Sequence, residues 1–197
     1  FGREEEPSGL TDDAADVDHE VMEVAVGTAE FTRRFLHKQA EKVQDLIDRI
    51  IELPQLAGPH QPAVQVANLL LRWCTASKCV HLLRILPPSQ TEDFAKDVDG
   101  RIRRAFCQIN GVTEGFDDTQ RRMYETPTAW GGLGMRALHD VRNAAFVGCW
   151  LQCAAHLRGA CGTLLRHFDA GWAAEATQAY PFHVEFREAL AALDGEL

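Results

Sequence analysis

An amphipathic helix predicted between Thr28 and Pro54 constrains this chain most. Apolar side chains recur there at spacings of three and four residues, which places them on one face of a helix. Thr28 suits the N-cap position and Pro54 predicts the end of the helix. At about 1.5–3 kcal/mol for each large side chain buried, the stripe supplies on the order of 10 kcal/mol and requires a partner surface. The stripe consists of Phe31, Phe35, Leu36, Ala40, Val43, Leu46, Ile47, Ile50 and Ile51.

Most of the remaining chain also has helical patterns. Residues 63–86 are apolar around nearly the whole helix, which is typical of a central helix, and Pro87 and Pro88 follow it. Ser89 or Thr91 then suits the cap of a helix that ends near Ile109, where Gly111 would close it. Only the alternating run at 21–26 indicates a strand. Further helices are predicted at 116–125, 136–157, 160–176 and 181–193. We therefore expect an all-α fold, an orthogonal bundle of five to seven helices.

The acidic residues are concentrated at the N-terminal end of the chain. The net charge of the 197 residues is −9, and residues 1–30 account for all of it with ten acidic side chains and a single base, Arg3. We expect residues 1–20 to be a disordered acidic arm, residues 21–158 a helical domain, and residues 159–197 helices packed on it. The sequence has no apolar run long enough to span a bilayer, so no membrane partner is expected. Its six cysteines lie mostly within apolar helical patterns, which favours a reducing intracellular compartment, nuclear or cytoplasmic.

Three motifs have both a chemical and a structural interpretation. Phe116-Asp117-Asp118 resembles a metal-binding polymerase signature only loosely, because the aromatic residue directly abuts the aspartates, and helix capping is the favoured role. Glycines 131, 132 and 134 could expose N–H groups to a phosphate, but no Gly-Lys-Ser/Thr sequence follows them, and a structural corner is favoured. The weak metal candidates have the spacing C-x3-C-x2-H-x4-C, for which buried thiols are the alternative; they are Cys149, Cys153, His156 and Cys161.

Two segments together are similar to a known family. They are NLLLRWCTASKCVHLLRILPP at 68–88 and PTAWGGLGMRALHDVRNAAFVGCW at 127–150. With VAVGTAEFTRRFL at 24–36, their order resembles the region after the polymerase palm in reverse transcriptases of non-LTR retrotransposons. The resemblance covers roughly residues 24–158. It implies the thumb of an RNA-directed DNA polymerase.

The resemblance implies that catalysis lies elsewhere. The catalytic carboxylates and their Mg²⁺ would belong to a palm upstream of Phe1, so this segment is expected to have no catalytic residues, no cofactor and no polymerase activity of its own. Its partners would be that palm and an RNA–DNA template–primer duplex. The alternative is a decayed or domesticated helical module that binds proteins.

Basic side chains are the candidates for contact with the duplex. In a thumb they would lie along the phosphates and fix position without reading sequence. The alternative is a solvated face with helix-spaced ion pairs such as Glu30–Arg34, Lys38–Glu41 and Asp97–Arg101. Trp73 and Trp130 are interpreted as core or corner packing. The candidates are Arg33, Arg34, Lys38, Lys42, Arg101, Arg103 and Arg104.

Overall fold

The structure is a computed structural model that describes residues 18–56, 63–113, 116–160 and 181–195. The predicted all-α fold is confirmed, with a short hairpin before the first helix. A π-helical turn, Leu71–Thr75, joins α2 to α3, and a 3-10 turn, Thr128–Trp130, precedes α6. The predicted helix at 160–176 lies outside the described residues except for Ala160, the last residue of α6, and the division at 159 stays a prediction. The elements are β1 (His19–Val21), β2 (Val24–Val26), α1 (Ala29–Leu56), α2 (Ala63–Leu70), α3 (Ala76–Ile85), α4 (Pro88–Asn110), α5 (Asp118–Glu125), α6 (Leu138–Ala160) and α7 (Pro181–Asp194).

The predicted strand at 21–26 is in fact a hairpin. β1 and β2 pair antiparallel, with His19 opposite Val26. Met22 and Glu23 form the turn between them and have φ values of 51° and 62°. A two-residue hairpin turn with both φ values positive matches the twist of the flanking strands. The strand therefore pairs with the residues directly before it.

Helix α1 begins as predicted and ends slightly later. The Thr28 hydroxyl accepts a hydrogen bond from the Phe31 N–H at 3.2 Å, which makes Thr28 the N-cap. The Asp18 carboxylate accepts hydrogen bonds from the Thr28 N–H at 2.9 Å and from its hydroxyl at 3.0 Å. The prediction that Pro54 ends the helix is wrong, because α1 continues to Leu56. A difference of two residues is within the usual variation of helix ends.

The main core lies where α1 packs on α4 and where α3 and α4 pack on α6. The predicted stripe of α1 is largely buried, and so is the face of α4 that carries Phe94, Val98, Ile102 and Phe106. A smaller cluster joins α6 to α7 through Phe146, Val147, Phe186 and Ala189.

The C-terminal end of α4 agrees with the prediction, whereas its N-terminal end does not. Pro87 is the N-cap and Pro88 the first helical residue, so the predicted caps Ser89 and Thr91 are wrong. Proline suits a first position because its missing N–H would have no partner there. The Thr91 hydroxyl instead donates to the Pro87 carbonyl at 3.3 Å. Gly111 closes the helix with φ 67°, as predicted.

The segment from α2 to α3 is only partly central. Leu71, Leu82 and Leu83 are buried, whereas Val66 and Leu69 are exposed. Within the described ranges, no helix is both long and apolar enough to cross a membrane.

Candidate nucleic-acid interface

Four of the predicted basic side chains lie together on α1. Arg33, Arg34, Lys38 and Lys42 are all exposed, while the opposite side of the helix is buried in the core. Arg34, Lys38 and Lys42 follow one another at four-residue spacing and form a row, named here the α1 basic row. At 1.5 Å per residue the row is about 12 Å long. Arg33 lies beside it, toward α4.

The cations of α1 differ in their ion pairs. Arg33 pairs with Glu30 at 2.5 Å, and Arg34 lies 4.0 Å from both Glu30 and Asp18. Neither Lys38 nor Lys42 pairs with a carboxylate among the described residues, so the predicted Lys38–Glu41 pair does not form there. Exposed ion pairs contribute about 0–1 kcal/mol and break easily. All four side chains can therefore turn toward an anionic ligand.

Arg101 on α4 has a structural role instead. Its guanidinium donates to Asp97 at 2.9 Å, to Glu41 at 3.1 Å and to Gln44 at 3.3 Å, and its side chain is only 15% exposed. The predicted Asp97–Arg101 pair is thus confirmed, and it extends to α1. These bonds tie α4 to α1, which leaves Arg101 poorly placed to contact phosphates.

Arg103 and Arg104 differ in their exposure to solvent. Arg103 is half-buried and lines a small pocket with Asp99 and Tyr124, whereas Arg104 is exposed. Burial raises the pKa of the Tyr124 hydroxyl, and the nearby Arg103 charge opposes that rise. Of the three predicted arginines on α4, only Arg104 is freely presented.

A groove of about 370 Å³ runs between α1 and α4, next to the basic residues. Leu36, Ala40 and Phe94 line it with apolar surface. Its polar lining includes Arg33 and His37 from α1 and Asp93 and Asp97 from α4. Both signs of charge are therefore present in the groove.

The glycine residues form a tight corner rather than an anion site. Gly131 and Gly134 have φ values of 85° and 66°, and a Cβ on Gly132 would lie 2.0 Å from the Thr126 carbonyl oxygen. The N–H groups of Gly131, Gly132 and Gly134 donate to carbonyls of residues 126–128 at 2.9–3.2 Å, and the Leu133 N–H donates to the Met123 carbonyl of α5 at 2.8 Å. No N–H of this run is left to cradle a phosphate. The Arg72 guanidinium packs on the other side, about 2.9 Å from a Cβ placed on Gly134.

Asp117 caps α5, as predicted. Its carboxylate accepts a hydrogen bond from the Gln120 N–H at 2.7 Å, and the Gln120 side chain accepts one from the Asp117 N–H at 3.1 Å. This reciprocal capping box occupies the carboxylate. Across the described ranges, no three histidine, cysteine or acidic side chains are grouped to hold a metal ion.

The cysteine and histidine motif does not match the buried interpretation. Cys149 is half-buried, whereas Cys153 and His156 are exposed, and Cys161 lies outside the described residues. Partial desolvation and the neighbouring Cys149 thiol raise the pKa of Cys153. The expectation that these thiols are buried is therefore wrong for Cys153.

Trp73 is a surface feature that the sequence pattern did not predict. Its side chain is 62% exposed and that of Trp130 is 81% exposed, so neither packs in the core, which was one of the two predicted roles. The Arg72 guanidinium carbon lies 4.7 Å from the centre of the Trp73 ring, which is a cation–π distance. Trp73 follows Val66 and Leu69 at spacings of seven and four residues, on one exposed face. The signal was hidden because apolar residues surround this helix on all sides.

Comparisons of the chain with models of protein families, with curated proteins and with solved structures found no match.

Proposed function

We propose that this chain is the thumb and post-palm segment of a reverse transcriptase of the non-LTR retrotransposon type. In this role it positions an RNA–DNA template–primer duplex and performs no chemistry itself. The observation that carries the proposal is the α1 basic row, exposed on a helix whose other side is buried and including two lysines without an ion pair in the described structure. The resemblance in motif order from 24 to 158 supports it.

The α1 basic row suits phosphates better than bases. Its three cations lie about 6 Å apart along the helix and can each contact one phosphate of a strand. Lysine and arginine contacts to phosphates fix the register of a protein on a duplex but carry no sequence information. A thumb needs this behaviour, because a polymerase must hold every template that it copies.

Mg²⁺-dependent nucleotidyl transfer belongs, in this proposal, to the palm. The Asp117 carboxylate does not fit that role, because it caps α5. The role of this chain is to position the template–primer duplex. Arg101 contributes indirectly, by joining α4 to the helix that carries the row.

Binding of a fluorescent RNA–DNA hybrid, followed by anisotropy, tests the proposal. K38Q/K42Q removes the two cations of the row that have no ion pair among the described residues, and we expect it to weaken binding roughly tenfold, since each phosphate contact releases counterions. K78Q/R122Q removes the same charge from exposed positions on α3 and α5 and should change affinity less than twofold. Equal losses in the two variants would show that only net charge matters and would overturn the assignment of the row.

A second candidate is the helical module that binds proteins. It is favoured by one observation, the exposed apolar face of Val66, Leu69 and Trp73. L69A/W73A discriminates between the candidates. A thumb should keep its duplex affinity in this variant, whereas a protein-binding module should show no duplex affinity even in wild type and should lose its protein partner.

A further inference from the structure

We infer that the acidic residues preceding Asp18 dock along the α1 basic row of the same chain. Residues 1–17 contain six acidic side chains and one base, and the acidic ones are Glu4, Glu5, Glu6, Asp12, Asp13 and Asp16. The row offers the opposite charge through Arg34, Lys38 and Lys42. Charge complementarity therefore identifies the occupant as this segment.

Asp18 determines where residues 1–17 would approach α1. Its carboxylate accepts two hydrogen bonds from Thr28, the N-cap of α1, and lies 4.0 Å from the Arg34 guanidinium. Arg34 is the first residue of the row. Asp18 thus lies at the N-terminal end of the row, which is also the end of a helix where negative charge is stabilised.

The chain is long enough to follow the row. Asp16, Asp13 and Asp12 precede Asp18 by two to six residues, and six residues reach about 20 Å when extended. Lys42 lies only about 12 Å along the helix from Arg34. The three carboxylates can therefore meet Lys38 and Lys42 without any rearrangement of α1.

The proposed docking depends on charge attraction and would compete with duplex binding. Lys38 and Lys42 have no ion pair within the described ranges, so a carboxylate that reaches them displaces no partner among those residues. The attraction is short-ranged in salt, since the screening length falls from about 10 Å at 0.1 M to about 3 Å at 1 M. Its effect on duplex binding rests on the proposed function: a phosphate backbone would have to displace the acidic residues from the row.

Carbodiimide crosslinking of the intact chain at low salt, mapped by mass spectrometry, tests the docking directly. The chain has four lysines, Lys38, Lys42, Lys78 and Lys96, and Lys96 already pairs with Glu92. We expect carboxylates of residues 1–17 to crosslink to Lys38 and Lys42 at least fivefold more than to the exposed Lys78, and to lose this preference in 1 M NaCl. Equal crosslinking to Lys78, no crosslinks, or crosslinks only between isotope-labelled and unlabelled copies would overturn it.

Duplex affinity separates this inference from the proposed function. D12N/D13N/D16N should bind an RNA–DNA hybrid at least threefold more tightly than D118N/E188Q/D194N, which removes equal charge from exposed positions on α5 and α7. Equal affinities would overturn the competition. Crosslinks to Lys38 and Lys42 in a chain that binds no duplex would uphold the docking and contradict only the proposed function.

Discussion

Asp99 on α4 caps the start of α6 by accepting a hydrogen bond from the Leu138 N–H at 2.7 Å. Its second oxygen accepts one from the His139 N–H at 2.9 Å, so two otherwise unpaired N–H groups of α6 share one carboxylate. Burial raises the pKa of Asp99, and these two hydrogen bonds oppose the rise. The cap therefore joins α4, which also carries Arg101, to α6, which follows the glycine corner.

D99A should lower the free energy of unfolding by about 1–2 kcal/mol, because it removes a helix cap supplied from another helix. Urea denaturation followed by circular dichroism measures this loss. D93A, at an exposed position on the same helix, should remain within about 0.5 kcal/mol of wild type. Matching losses in the two variants would contradict the capping role.

G132A should destabilise the chain by about 2 kcal/mol or more, because its Cβ would lie 2.0 Å from a backbone oxygen that cannot move away cheaply. G148A is the matched control, since nothing lies within 4 Å of a Cβ there and alanine is the better helix former. We expect G148A to be neutral or to stabilise by up to about 1 kcal/mol. Thermal unfolding of both variants decides this, and a neutral G132A would disprove the close approach.

Cys79 should resist alkylation in the folded chain. Burial, reinforced by the charge of Asp99, raises the pKa of its thiol to about 12, and only the thiolate reacts. Between the ordinary value of 9.0 and about 12, the folded chain keeps a proton that the unfolded chain loses, so this thiol destabilises the fold as pH rises through that range.

Iodoacetamide at pH 8 with mass-spectrometric mapping measures the reactivity. The exposed Cys153 serves as the internal comparison and should be labelled first, although its own pKa is also raised. Labelling of Cys79 should appear only when urea unfolds the chain. Similar labelling rates in the folded chain would contradict the burial of Cys79.

Local signals predicted much of this fold. The stripe and Thr28 cap of α1, the closing Gly111 and the Asp117 cap of α5 all depend on residues within a few positions of one another. Arg101 could not be assigned in this way, because its role depends on Glu41, which is 60 residues away. The exposure of Trp73 was missed for a similar reason, since only tertiary packing decides which side of an all-round apolar helix faces solvent.

The salt dependence of RNA–DNA hybrid binding tests the central claim most directly. If the α1 basic row neutralises phosphates, a plot of log affinity against log salt concentration should have a slope of about −3 for the wild-type chain. The slope should become shallower by about 2 in K38Q/K42Q and remain unchanged in K78Q/R122Q. A wild-type slope near zero, or the same slope in K38Q/K42Q as in wild type, would contradict a thumb that holds the duplex through α1.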